Sequence, residues 1–107
     1  MDDLFQSLFP HAREQGIKDY DDLTPVERDE YQKMLKIQES GTISLEDFKR
    51  HVHAMRQSVE YELAKLPNND EKNTGLKARL MNYLLFESFF DKPERARQLL
   101  EQYKQHP

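Results

Sequence analysis

SLEDFKRHVHAMRQSVEYELAKL, residues Ser44 to Leu66, puts Leu45, Phe48, Val52, Met55 and Val59 at spacings of 3, 4, 3 and 4. Leu63 and Leu66 extend the stripe, and Pro67 stops it. Ser44 can cap the first turn, and Glu46 and Asp47 sit where the helix dipole favours acids. This is one long amphipathic helix with a marked start and end. A helix with a single apolar stripe must bury it against another element, so the rest of the chain has to supply partners.

Working back from Ser44, Thr24-Pro25-Val26-Glu27 is a second helix start. Thr24 can cap, Pro25 suits the first helical position, and Glu27 completes a capping box. That helix is expected from 25 to about 39, burying Val26, Tyr31, Met34, Leu35 and Ile37, with Gly41 as a left-handed stop. Working forward, Pro67-Asn68-Asn69-Asp70 breaks the chain. A third helix starts between Glu71 and Leu76 and runs to about residue 90. Its segment from Leu80 to Phe90 is apolar most of the way round, which implies a central position or a second face for a partner. Asp91-Lys92-Pro93-Glu94 restarts the chain, and Ala96, Leu99, Leu100 and Tyr103 form the stripe of a closing helix. At the other end Leu4, Phe5, Leu8 and Phe9 fit one face of a short helix ended by Pro10, followed by the loop Gly16 to Asp22. No strand pattern or repeat is present.

The expectation is an all-α single domain over 1–107, a bundle of four or five helices. Helix 45–66 packs on helix 76–90, and residues 1–23 form a short helix and acidic loop that can act as a docking arm. The 107 residues are 36% hydrophobic and 34% charged, with three glycines and no Trp. That composition fits a highly charged helical domain rather than a disordered chain. Net charge is −4, but residues 1–30 hold nine acids against three bases, a net of −6. There is no cysteine, hence no disulfide framework, thiolate metal site or thiol nucleophile. No apolar run approaches the ~20 residues that span a bilayer, and Met1-Asp2-Asp3 is the reverse of a basic signal-peptide start. A cytoplasmic or particle-bound protein, without a membrane partner, is the default.

Motifs that carry chemistry are missing. Gly41 to Phe48 resembles the second half of an EF-hand calcium loop, with Gly41 the turn glycine and Asp47 the last acidic ligand. The earlier ligand positions then hold Lys36, Gln38 and Ser40, and a lysine in place of a carboxylate excludes calcium. Read as helix-turn-helix, the same stretch puts Lys49, Arg50, His51, His53 and Arg56 on a reading helix. Glu46 and Asp47 would then face phosphates at its N-terminal turn, which disfavours nucleic acid as a partner and leaves a helix-turn-helix DNA-binding protein as the less favoured alternative. His51 and His53 are two apart and diverge on a helix, unlike the four-residue spacing of a metal pair. Asp19, Asp21, Asp22, Glu27, Asp29, Glu30, Glu60 and Glu62 read as solvated or helix-start charges, with nothing implying the burial a catalytic carboxylate needs. No phosphate loop, nucleophile elbow or metalloprotease motif occurs. No metal, cofactor or catalytic residue is expected.

What remains is apolar surface. Leu4, Phe5, Leu8 and Phe9 suit docking into a partner groove, or folding back to close an end of the bundle; the scarcity of free apolar patches on monomers favours the second. Phe86, Phe89 and Phe90 cluster at the end of the third helix as a second candidate contact. The reading is a non-enzymatic protein–protein interaction module, its partner another copy, a particle protein or a cellular protein.

Over most of its length the chain resembles small helical proteins encoded by tailed bacteriophages. The resemblance is carried by Leu23-Thr24-Pro25-Val26-Glu27-Arg28, the Gly41-to-Phe48 joint, Leu76-Lys77-Ala78-Arg79-Leu80-Met81-Asn82-Tyr83 and Lys92-Pro93-Glu94-Arg95-Ala96. It implies a phage setting, in the host cytoplasm or the virion. Virion component, assembly factor and inhibitor of host machinery all fit it, and it transfers no catalytic residue.

Overall fold

Thr24 opens the first long helix as its capping box requires. Its hydroxyl accepts from Glu27 N at 3.0 Å, and Glu27 Oε1 accepts from Thr24 N at 2.8 Å. In the computed structural model, which describes residues 3–92 with Glu94, Arg97, Gln98 and Glu101, four helices and one 3-10 turn follow in order. These are α1 (Asp3–Leu8), the turn Tyr20–Asp22, α2 (Pro25–Ser40), α3 (Leu45–Lys65) and α4 (Lys72–Asp91). No strand occurs among the described residues. The all-α expectation holds, with α3 in the middle and packed on both α2 and α4. Of the expected closing helix, Glu94, Arg97, Gln98 and Glu101 are helical, and its stripe of Ala96, Leu99, Leu100 and Tyr103 lies outside the described residues.

The starts of α2 and α3 fall where the sequence puts them because each is fixed by a local side-chain cap. Ser44 Oγ accepts from Asp47 N at 3.1 Å, and Thr24 Oγ1 and Ser58 Oγ lie 2.8 Å apart, tying the start of α2 to α3. The third helix begins at Lys72, earlier than most of the expected window, because Asp70 Oδ1 accepts from Lys72 N at 2.8 Å. Asn73 Nδ2 donates to Pro67 O at 2.7 Å and closes the turn between α3 and α4. Gly41 corrects an expectation. Its φ of 168° is extended rather than left-handed, and a Cβ there would meet nothing within 4 Å. The one residue in the left-handed region among those described is Gly16, with φ 76°.

The core runs along the expected stripe of α3 through Val52, Met55 and Val59, each fully buried, and takes Tyr31 and Met34 from α2 and Tyr83 from α4. Leu45, in the first turn of α3, stands outside it at 56% exposure. Val26 was expected inside and is exposed; Glu27 beside it is fully buried instead. Adjacent residues on a helix differ by about 100°, so only one of the two can face the core. Arg79 and Tyr83 decide which.

Candidate functional site

The N-terminal candidates prove to be interior. Leu4, Phe5, Leu8 and Phe9 are all buried. Phe5 meets Phe9 at 4.9 Å and the edge of Tyr31 at 5.6 Å between ring centroids, and Phe9 meets Tyr83 at 6.0 Å. As a docking arm this segment is corrected: its apolar face is spent on the chain's own core. The connection to α2 follows it inward, with Ile17 and Leu23 buried, a hydrogen-bonded turn (Ile17 N to Ala12 O, 2.8 Å) and a 3-10 turn capped reciprocally by Asp19 and Asp22. The Lys18 and Asp19 N–H groups on the Asp22 carboxylate, in that order, hold its pKa below the usual aspartate range.

Helix α4 reaches this arm mostly through main-chain atoms. Gly75 lies against Gly16 so closely that a Cβ on Gly75 would come within 2.7 Å of Gly16 Cα. Arg79 Nε donates to Gln15 O at 3.1 Å, and Asn82 Nδ2 to Leu8 O at 2.6 Å. Positions 75, 79 and 82 share one side of a helix. The same side carries a buried charged group. Arg79 Nη1 pairs with Glu27 Oε1 at 2.6 Å, with the two side chains 2% and 0% exposed. The Tyr83 hydroxyl donates to Glu27 Oε2. Burial first, then the Glu27 charge, pushes the Tyr83 phenol well above its ordinary value, so it stays a donor. Both carboxylate oxygens are thereby occupied, and the group pins α2, α4 and the arm together. A groove of about 860 Å³ runs past it between residues 13–28, the end of α3 and the start of α4. Arg13, Lys18, Arg28 and Lys72 on its walls are answered by Glu14, Asp21, Asp22 and Glu71, so it shows no preferred sign of charge.

Glu27 has the helix-start role expected of it but is also fully buried, where no carboxylate was expected to be. The available signal was the pair Arg79 and Tyr83, four apart and so on one side of the helix, which needs an acid opposite. The two histidines of α3 differ: His53 is exposed and His51 is buried. His51 is 5% exposed and its Nδ1 contacts Glu30 Oε2, while Arg56 bonds Glu87 and Glu60. Arg50 pairs with Asp47, and Lys49 approaches Asp91 at 3.8 Å. The side of α3 that resembled a reading helix is thus internally neutralised. Among the described residues no group of three or more His, Cys, Asp or Glu side chains could hold a metal ion. No helix among them is long and apolar enough to cross a membrane.

The three aromatic candidates at the end of α4 separate. Phe86 and Phe90 turn inward and present edges to Phe48 of α3, at 5.7 and 5.4 Å; both are half-buried, which corrects them from surface to inter-helix packing. Phe89 points outward and is 61% exposed. It is not alone. Met81 and Leu84 are exposed at 38% each, and Leu85 and Ser88 between them are half-buried. At about 100° per residue these five positions fill the arc opposite Arg79, Tyr83 and Phe90. Helix α4 therefore has a polar-and-aromatic inner face and an apolar outer face, as its all-round hydrophobicity suggested. No protein-family model, curated protein or solved structure matches this chain.

Proposed function

We propose that this is a non-enzymatic protein–protein interaction protein that docks a partner on the outer face of α4. The observation that carries the reading is the exposed run Met81, Leu84 and Phe89 on a helix whose other side is fully engaged. Large apolar side chains gathered on one helical face mark contact surfaces, and aromatic anchors dominate such contacts. The setting suggested by the resemblance is a tailed phage, with the protein acting as a virion or assembly component.

The test is capture from lysates of a phage-infected bacterium with the wild-type chain, Phe89→Asp and Val26→Asp. Val26 is exposed but lies on α2, away from the face. The expected outcome is a discrete partner held by wild type and by Val26→Asp and lost with Phe89→Asp, with helicity and melting temperature unchanged in all three. A partner retained by Phe89→Asp, or no reproducible partner, overturns the reading. Unfolding of Phe89→Asp would place that ring in the core and overturn it too.

A further inference from the structure

The outer face of α4 has a sign. Lys77 lies one turn before Met81 in the same arc, and Lys92 follows the last helical residue just beyond Phe89; both are exposed and neither has an ion-pair partner among the described residues. Of the two acids of this half of the helix, Glu87 is turned to α3, where it meets Arg56 and His53, and Asp91, 74% exposed at the flank of the strip, reaches toward Lys49 of α3 at 3.8 Å. A chain of net charge −4 thus presents one apolar strip with a cation at each end, and the acid nearest to it, Asp91, lies on the side toward Lys49 of α3. We infer that the occupant of this face is an amphipathic helix of a partner protein whose apolar side is flanked by carboxylates. This rests on the proposed docking role of the face and adds the chemistry of what docks.

Geometry sets the register. Met81 to Phe89 spans about 12 Å and Lys77 to Lys92 about 22 Å of helix. A partner helix with anchors at i, i+3, i+4 and i+7 covers the strip, and acids about two turns beyond its centre on each side meet the lysines. A second copy is disfavoured by the same charges. Two such faces laid together antiparallel about Leu85 bring the lysines of one toward the lysines of the other, while the nearest carboxylate, Asp91, is directed to Lys49 of its own chain. Rim charges of this kind act mainly on orientation and encounter rate, with modest affinity.

The probes are two synthetic helices with the same leucine anchors, one flanked by glutamates and one by lysines, titrated by fluorescence anisotropy against the full chain. The glutamate helix is expected to bind about fivefold tighter, as two weak rim pairs allow, with an advantage that shrinks as salt rises. The double variant Lys77→Glu/Lys92→Glu should reverse the order, and Phe89→Asp should abolish binding of both. Equal binding of the two helices, or no reversal, overturns the charge inference and leaves the docking face standing. Failure of both helices to bind, or binding untouched by Phe89→Asp, overturns the face itself. Light scattering that shows stable dimers, lost with Phe89→Asp, assigns the face to a second copy and overturns the inference.

Discussion

At the residue scale the decisive position is 27. Glu27 closes the capping box of α2, accepts Arg79 and Tyr83, and is fully buried. Removing one member of a buried ion pair leaves the other charge unanswered, at a cost of about 3–5 kcal/mol. Glu27→Ala should therefore unfold at much lower urea than Glu60→Ala, whose carboxylate lies half in water; equal midpoints would show that the buried pair is not a pin. Gln15 makes the opposite case. Its side chain is fully buried and neither amide atom has a partner among the described residues. An orphaned buried polar group costs about 1–3 kcal/mol, so Gln15→Met, similar in volume and apolar, should raise the melting temperature. The two glycines at the arm differ from the third. Gly75→Ala drives a Cβ into the Gly16 backbone and should destabilise by about 1–3 kcal/mol, whereas Gly41→Ala meets open space and should be neutral or mildly stabilising. Thermal melts of the pair decide whether the close approach is real.

At the scale of elements, what the sequence discloses depends on how local the cause is. The starts of α2 and α3 are set by Thr24 and Ser44, whose caps close within three residues, so they are legible in the chain itself. The stripe of α3 is legible for the same reason, its period being a property of one helix. Helix α4 is less so. Its inner face carries Gly75, Arg79 and Asn82, chosen to fit the main chain of residues 8–16 more than 50 positions away. No periodicity encodes that. Its outer face was legible only as surplus hydrophobicity, and choosing Phe89 over Phe86 and Phe90 required knowing where Phe48 stands. The 3-10 turn before α2 adds a pH effect with a definite sign. Asp22 has a lowered pKa in the folded chain through the Lys18 and Asp19 N–H groups. Its contribution to stability is present above the ordinary aspartate range and is lost as pH falls through the lowered value. Urea midpoints measured down through that acid range should fall for wild type, and less steeply for Asp22→Asn, which cannot titrate.

At the scale of the whole molecule, a short helix of six residues supplies a large part of the interior. Leu4, Phe5 and Leu8 of α1 and Phe9 just after it join Tyr31, Met34, Val52, Met55, Val59 and Tyr83 in one buried cluster. A chain this small has few apolar side chains to spare, so a segment that looks detachable in sequence is structural in the fold. If α1 were an arm kept free for a partner, Phe5→Ala would leave stability unchanged and alter only association. The packing of Phe5 against Phe9 and Tyr31 argues the reverse. Truncating a buried Phe costs about 3–5 kcal/mol, a large share of the stability of a single small domain. Because the arm contacts α4 through Leu8 O and Gln15 O, the loss should spread through all the helices and keep unfolding in one step. Circular dichroism at the helix band and tyrosine fluorescence should then report the same lowered midpoint for Phe5→Ala. Two separated transitions, or an unchanged midpoint, would detach α1 from the core and return it to the list of docking surfaces.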